Sequence, residues 1–155
     1  MAFQRTAYFM ICLGILLSSC TSPSLSNKPD QASNAPTFQT GVLFQSSSFN
    51  DPAEREIAEI LEENLTAVLD KDKQKFDDTF VMPKDGEIYY YVMDPPYQRF
   101  EKLMFIPYHK PNRAQVVVTF TVKEKNNGQW EENTRNRTYT LEKVRKKVWK
   151  IITLD

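Results

Sequence analysis

Glycine, cysteine and histidine are scarce in this 155-residue chain, which has four, two and one of them. With so few glycines, no glycine-rich loop of the kind that cradles phosphate is present. One histidine and two cysteines give no metal-ligand spacing, and no serine-centred nucleophile motif occurs. The sequence therefore offers no positive sign of a nucleotide site, a metal site or a serine nucleophile, although it does not exclude an enzyme.

Long hydrophobic runs are also absent, and the longest, Phe9–Leu17, is too short to span about 30 Å of hydrocarbon. Arg5 is the only charged residue before it, and the small residues Ser18 and Ser19 follow it. A short basic region, an apolar core and small residues are typical of a secretory signal peptide. We therefore expect residues 1–19 to be a signal peptide, cleaved between Ser19 and Cys20.

The motif Leu17-Ser18-Ser19-Cys20 resembles the lipobox of bacterial lipoproteins. The resemblance implies that the Cys20 thiol receives a diacylglyceryl group, that signal peptidase II cuts before it, and that Cys20 becomes the mature N-terminus. Cys12 would leave with the signal, so the mature chain could form no internal disulfide. The alternatives are an ordinary cleavage site with a free Cys20 and an uncleaved anchor helix.

Lipidation at Cys20 would fix the protein to a membrane, since each buried CH₂ contributes about 0.8 kcal/mol. Thr21, not aspartate, follows the cysteine. Lipoprotein sorting rules then imply the outer membrane, facing the periplasm, in an organism with two membranes. In an organism with one membrane, the protein would be anchored on the cell membrane and face the exterior.

Residues 20–50 have the composition of a flexible tether. Residues 21–50 contain seven serines and three prolines but few large apolar side chains, so burial cannot offset the entropy of ordering them. Val42–Phe49 is more apolar, and we expect it to lie on the following domain as a short strand or as cover for its core.

Residues 51–155 have the size of one small domain, which begins with two predicted helices. Asp51 is an expected N-cap, and Pro52 occupies the first helical position. Apolar residues then recur at helical spacing on one face: Ile57, Ile60, Leu61, Leu65 and Val68. A second helix is predicted at Lys73–Phe80, with Asp72 as its cap.

The rest of the domain reads mainly as strand. Glu87–Met93 is β-branched and aromatic, and one or two helical turns are predicted at Tyr97–Leu103, followed by extended chain to His109. The strongest hairpin signal is Asn127-Gly128. It separates two predicted strands, at 114–125 and 129–144, and the last strand is expected at 148–154. Three side chains of the return strand are predicted to point inward: Trp130, Tyr139 and Leu141. Helices followed by an antiparallel sheet indicate an α+β domain.

The order of elements is similar to that of the nuclear transport factor two-like superfamily. Three stretches carry the resemblance: Ala67–Asp72 with Phe76 after it, Ala114–Val118, and the closing Val148–Ile152. It implies a cone in which N-terminal helices pack on a curved antiparallel sheet. The turn before the last strand, which usually contains glycine, reads Arg145-Lys146-Lys147 here. Another helix-on-sheet fold, such as a cystatin-like domain, is the alternative.

Members of that superfamily include isomerases and dehydratases that use a tyrosine, aspartate or histidine in the cone. The candidates in this chain are Tyr89, Tyr91, Asp94, Tyr108 and His109. A general base needs a second group to orient it, and none can be identified for His109. Asp94 is interpreted as a turn residue, and the tyrosines are interpreted as sheet packing. We therefore assign no catalytic residue, cofactor or metal.

Charge is distributed unevenly along the chain. Residues 20–110 carry 9 basic and 15 acidic residues, a net charge of −6, whereas residues 111–155 carry 10 basic and 5 acidic residues, a net charge of +5. The basic residues of the last hairpin are Arg135, Arg137, Lys143, Arg145, Lys146, Lys147 and Lys150. They either protect a sheet edge or form a surface for anionic lipid, an anionic wall polymer or an acidic partner.

Arg145, Lys146 and Lys147 are the candidate contact surface. Nucleic acid is not expected outside the cytoplasm. Two function classes follow: a non-catalytic envelope lipoprotein whose domain binds an envelope protein or polymer, and a small-molecule-binding or isomerase-type pocket protein. A cone filled by aromatic side chains favours the first class, whereas a polar pair inside the cone favours the second.

Overall fold

The computed structural model describes residues 37–107, 110–145 and 147–155. The predicted signal peptide, Cys20 and most of the predicted tether lie outside the described residues, as do Tyr108, His109 and Lys146. The helices are α1 (Pro52–Asp70), α2 (Lys73–Asp78) and α3 (Pro83–Gly86), and two 3₁₀ helices cover Ser46–Ser48 and Glu87–Met93. The strands are β1 (Gly41–Val42), β2 (Tyr97–Ile106), β3 (Arg113–Asn126), β4 (Gln129–Val144) and β5 (Val148–Leu154).

Helix α1 begins and ends where its local sequence predicts. The Asp51 carboxylate accepts hydrogen bonds from the backbone N–H groups of Ala53 and Glu54 at 2.8 and 3.0 Å, and Pro52 occupies the first turn. The helix ends at Lys71, which has a left-handed φ of 56°. Its buried face consists of Ile57, Ala58, Leu61, Asn64, Leu65, Ala67 and Val68.

Helix α2 confirms the second predicted helix, with Asp72 capping the Lys75 N–H at 3.1 Å. Phe76 is buried within it, and Phe80 is buried just after its end. The Asn64 side chain of α1 donates a 2.8 Å hydrogen bond to the Thr79 hydroxyl, so a buried polar contact joins the two helices. Since an unmade buried hydrogen bond is costly, this contact fixes how α2 lies on α1.

The strand predicted at 87–93 is wrong, because Glu87–Met93 forms a 3₁₀ helix that continues from α3. Val92 and Met93 are buried in the core. The Tyr89 ring stacks on the Phe80 ring with centroids 5.6 Å apart. This side-chain packing, together with the helix start at Pro83, overrides a strand preference that depends on context.

The helical turns predicted at 97–103 are also wrong, because Tyr97–Ile106 is strand β2. β2 pairs with β3 over its whole length, with a bulge at Glu101. The Gln98 side chain is buried and donates to the Val92 carbonyl at 2.9 Å. This segment is a strand because it pairs with the long strand β3. The paired residues are distant in the sequence, so the local sequence does not reveal the pairing.

The sheet has the order β1-β2-β3-β4-β5 and is antiparallel except for the short parallel pair β1–β2. Asn127 and Gly128 form the β3–β4 turn with φ values of 48° and 86°, so the predicted hairpin is confirmed. The exposed edge of β5 is partly covered, since the Val81 N–H donates to the Ile151 carbonyl at 2.9 Å. The Ile151 N–H in turn donates to the Thr79 carbonyl at 2.9 Å.

The core lies between the helices and one face of the sheet. The predicted inward face of β3, Val116, Val118, Phe120 and Val122, is buried. Tyr139 and Leu141 of β4 are fully buried, as predicted. The inward prediction for Trp130 is wrong, because its side chain is 51% exposed at the tip of the β3–β4 hairpin. The strand alternation places it on the face away from the core.

Part of the segment predicted as tether lies on the domain. Gly41 and Val42 pair with Arg99 and Phe100 of β2, and Phe44 is buried in the core. The Phe49 ring meets Phe105 edge-on, with centroids 5.4 Å apart. The prediction for Val42–Phe49 was a short strand or core cover, and residues 41–49 supply both. In the part of the chain that the structure describes, no helix is long and apolar enough to cross a membrane.

Candidate functional site

Arg145 and Lys147 lie between β4 and β5, at the end of the sheet opposite the Asn127-Gly128 hairpin. Together with Lys146, which lies outside the described residues, they are called the basic turn. The backbone of Arg145 has a left-handed φ of 51°, and the Lys147 N–H closes the turn on the Val144 carbonyl at 3.0 Å. The side chains of Arg145 and Lys147 are exposed. The resemblance led us to expect glycine in this turn, and glycine adopts the left-handed conformation most easily. The turn instead carries two exposed cationic side chains.

A groove of about 520 Å³ lies beside the basic turn. It is lined by Val81, Val144 and Val148 and by Arg145, Lys147 and Lys150. The Lys150 ammonium donates to the Asp78 carbonyl, which holds its stem against the groove wall. Apolar walls with a cationic rim suit a partner that carries both apolar and acidic groups.

Two other basic residues of the last hairpin, Lys143 and Arg135, are paired within the domain. Lys143 lies 2.8 Å from the Glu56 carboxylate, and this contact holds the pKa of Glu56 below its usual value. Arg135 forms an ion pair with Glu124. The candidate contact surface is therefore narrower than the count of basic residues indicates, and it centres on the turn.

The predicted acid–base candidates do not form a shared site. Tyr108 and His109 lie outside the described residues, and Asp94 is exposed at the end of the 3₁₀ helix Glu87–Met93. The Tyr89 hydroxyl donates to the Thr153 hydroxyl at 2.9 Å, and Tyr91 is exposed. Tyr89 thus ties the 3₁₀ helix to β5, which is a packing role like the one predicted for it.

Tyr90 was not among the candidates, but its surroundings raise the pKa of its hydroxyl. It donates a hydrogen bond to the Asp77 carboxylate, and this contact raises the pKa of Tyr90 to about 12. Lys73 lies over the same ring at 4.3 Å from its centroid. Both contacts join α2 to the 3₁₀ helix, so they also stabilise packing.

Seven of the 21 buried hydrophobic side chains in the described part of the chain are aromatic, and they fill the core together with aliphatic residues. The buried aromatic residues are Phe44, Phe76, Phe80, Phe100, Phe120, Tyr139 and Trp149. Such filling is the arrangement that favours a binding module over an open pocket.

Two neighbouring polar groups interrupt this filling. Arg137 and Tyr139 lie two residues apart on β4 and pair with the buried Val118 and Val116, so both face the core side of the sheet. The buried Tyr139 hydroxyl and the buried Arg137 Nη1 have no hydrogen-bond partner in the described part of the chain. Burial raises the pKa of Tyr139, and the nearby guanidinium opposes this effect.

Sequence reasoning counted Arg137 among the surface cations and missed this pair. The Arg137 guanidinium lies 4.7 Å from the centroid of the Phe120 ring. The signal was available in the alternation of β4, where Arg137 has the same parity as Tyr139. A cation at an inward position of a half-buried strand is unusual.

A second cleft, of about 400 Å³, lies where the start of α1 faces the ends of β2 and β3. Glu54 and Arg113 contribute charged groups, and Trp149 forms part of its wall. Among residues 37–107, 110–145 and 147–155, no group of three His, Cys, Asp or Glu side chains is placed to hold a metal ion. The cleft therefore offers shape and charged groups.

No protein-family model matches the sequence, and no curated protein matches it. Among solved structures, the chain is similar to Aln2 from a Streptomyces species, with a TM-score of 0.51 and 14% identity over 67% of this chain and 89% of that one. It is also similar to the association domain of C. elegans CaMKII, with a TM-score of 0.47 and 12% identity over 66% and 92%.

A ketosteroid isomerase-like protein from Erwinia carotovora atroseptica aligns with a TM-score of 0.49 and 16% identity over 68% of this chain and 95% of that chain. At such identities the likeness concerns the fold alone. Helices packed on a curled sheet give the domain a nuclear transport factor two-like α+β fold. The predicted fold class is confirmed, in preference to the cystatin-like alternative.

Proposed function

We propose that this protein is a lipid-anchored bacterial envelope protein whose domain is a non-catalytic binding module. The anchor is the lipidated Cys20 at the mature N-terminus, and the contact surface is the basic turn. The protein is held on the cell membrane or the outer membrane and faces the exterior or the periplasm. Its partner is an acidic envelope protein or an anionic envelope polymer.

The anchor rests on the order of the N-terminal sequence. An apolar core, small residues and a cysteine are followed by a Ser- and Pro-rich segment. This combination is expected if cleavage occurs before Cys20 and a spacer then separates the lipid from a folded domain.

One observation carries the proposal. The first described residues pack near one end of β4, and the basic turn lies at its other end. The described chain begins at Thr37, and Phe38 lies against Tyr97 with ring centroids 6.5 Å apart. Tyr97 in turn lies near Trp130, at the hairpin end of β4. The basic turn lies at the other end of this 16-residue strand, up to about 50 Å away. A tether attached at one end would leave the other end free to meet a partner.

We expect binding of the partner to depend on the positive charges of the basic turn. We expect the changes Arg145→Asn, Lys146→Gln and Lys147→Gln together to weaken retention of the domain on washed envelope fragments about tenfold at low salt, since each exposed charge contributes about 0.5 kcal/mol. Asparagine is chosen at 145 because it tolerates the left-handed backbone. The difference should shrink at high salt, where exposed charges are screened.

The matched control is Lys75→Gln, Lys84→Gln and Lys102→Gln, which removes three exposed charges elsewhere. It should retain binding, and both triple variants should unfold within about 1 kcal/mol of the unmodified domain. Equal retention of the two variants would contradict the contact surface and favour a lysine-protected sheet edge.

A second candidate function, binding of a small anionic ligand, is favoured by the Arg137 Nη1 and the Tyr139 hydroxyl, which have no hydrogen-bond partner among the described residues. A carboxylate could pair with the guanidinium and accept from the hydroxyl. For this function, we expect a small carboxylic acid at about 100 times its Kd to stabilise the domain by about 2.7 kcal/mol. The Arg137→Gln variant should lose that shift, whereas the basic-turn variant should keep it. Equal shifts in the domain and in Arg137→Gln would exclude the pair as the site.

A further inference from the structure

Three aromatic rings form an exposed cluster at the hairpin end of the domain. This aromatic patch consists of Phe38, Tyr97 and Trp130. The Tyr97 ring centroid lies 6.5 Å from that of Phe38 and 5.6 Å from that of Trp130. Tyr97 is 42% exposed and Trp130 is 51% exposed, although aromatic residues of this size are usually covered. The patch comes from three separate parts of the chain, so no single stretch of sequence reveals it.

The two cations that lie over the Phe38 ring of the aromatic patch are each paired with a carboxylate. The Arg99 and Lys123 cations lie 5.0 and 5.9 Å from the centroid of the Phe38 ring. Arg99 is paired with Glu101 at 3.0 Å, and Lys123 lies 3.9 Å from Glu132. Because each cation has a carboxylate beside it, the patch offers aromatic surface more than net positive charge.

The short distance along the chain between the predicted lipid anchor and Phe38 indicates what could cover the patch. Thr37 directly precedes Phe38, and Cys20 lies 17 residues before Thr37. A chain of that length cannot extend beyond about 60 Å. The composition of residues 21–36 predicts a coil with a mean span of roughly 20–25 Å. An acyl chain on Cys20 would therefore keep the aromatic patch within about 60 Å of its membrane.

We propose that the aromatic patch docks the domain on the interfacial layer of the membrane that carries its lipid anchor. This inference rests on the proposed lipidation of Cys20. Tryptophan and tyrosine rings favour the headgroup region, where an apolar ring and a polar edge are both accommodated. Since the tether raises the local concentration of the patch at the membrane to about the millimolar range, weak contacts are sufficient for docking.

Docking at the hairpin end has a consequence for the basic turn. The turn lies at the opposite end of β4, so it would point away from the membrane. Because the cations over the Phe38 ring are already paired with carboxylates, we expect docking through the aromatic rings to need no anionic lipid. The basic turn is thereby kept for a partner instead of being occupied by the membrane that anchors the domain.

The two tryptophans of the chain allow a direct test in the full-length lipidated protein. Trp130 is 51% exposed, whereas Trp149 is 5% exposed and lies in the core. The protein is reconstituted in zwitterionic vesicles whose acyl chains are brominated near the headgroup, and its emission is compared with that in unbrominated vesicles. We expect most of the Trp130 share of the emission to be lost, with the same loss at low and high salt.

The control is Trp130→Phe, whose remaining Trp149 emission should be insensitive to bromine. Flotation of the same samples separates the two proposals. If the protein does not float with the vesicles, the anchor fails. If it floats but bromine leaves Trp130 emission unchanged, the docking proposal is overturned while the anchor stands. A Trp130 blue shift that depends on protein concentration and occurs without vesicles would assign the patch to a second copy, and would also overturn docking.

Discussion

Replacing Trp149 by alanine is expected to destabilise the domain by about 3–5 kcal/mol. The side chain belongs to the core cluster and is 5% exposed. It lies under the Lys143 ammonium, at 5.7 Å from the ring centroid, and opposite Lys143 in the β4–β5 register. Because domains of this size have about 5–15 kcal/mol of stability, the variant would lose a large part of it.

Urea unfolding of the soluble domain measures this effect, with Trp130→Ala as the matched control. Both changes remove the same side chain, but Trp130 is mostly exposed. We expect the control to unfold within about 1 kcal/mol of the unmodified domain. Similar losses of stability in the two variants would contradict the burial of Trp149 in the core.

The Cys20→Ser change is expected to abolish lipidation and processing together. Serine has no thiol to receive the diacylglyceryl group, so the chain should remain an unprocessed precursor. Metabolic labelling with a palmitate analogue should fall to background. The membrane attachment that acyl chains supply, at about 0.8 kcal/mol per buried CH₂, should then be lost.

Cys12→Ser is the control, because Cys12 lies within the predicted signal peptide and would be removed with it. That variant should be labelled and processed normally. Normal labelling of Cys20→Ser would contradict the assignment of Cys20, whereas loss of labelling in both variants would indicate a damaged signal peptide instead.

Elements with strong local signals could be predicted from the sequence. The Asp51 cap, the apolar stripe of α1, the alternation of β3 and the Asn127-Gly128 turn each depend on residues close together in the chain. All four are confirmed. They were sufficient to indicate the α+β class, whereas the resemblance to the nuclear transport factor two-like superfamily depended on the stretches Ala67–Asp72 with Phe76, Ala114–Val118 and Val148–Ile152.

The two wrong secondary-structure predictions, at 87–93 and 97–103, have a common cause. Glu87–Met93 has the composition of a strand but is covered by α2 and β5, where Tyr89 stacks on Phe80. Tyr97–Ile106 becomes a strand because β3 supplies its hydrogen-bond partners. In both cases contacts between distant residues outweigh a weak local preference.

The candidate sites also depend partly on local sequence and partly on contacts between distant residues. The run Arg145-Lys146-Lys147 was visible in the sequence, but the groove beside it also needs Val81, from a distant segment. The aromatic patch needs Phe38, Tyr97 and Trp130 to meet in three dimensions. A sequence indicates which charges occur together in the chain, whereas only the fold indicates which aromatic surfaces remain uncovered.

Mass spectrometry of the protein extracted from its membrane fraction tests the lipid anchor most directly. The predicted result is a mature chain whose first residue is Cys20 and whose N-terminal peptide carries the added mass of a diacylglyceryl group. A chain that begins at another residue, or an unmodified Cys20 at the N-terminus, would contradict it.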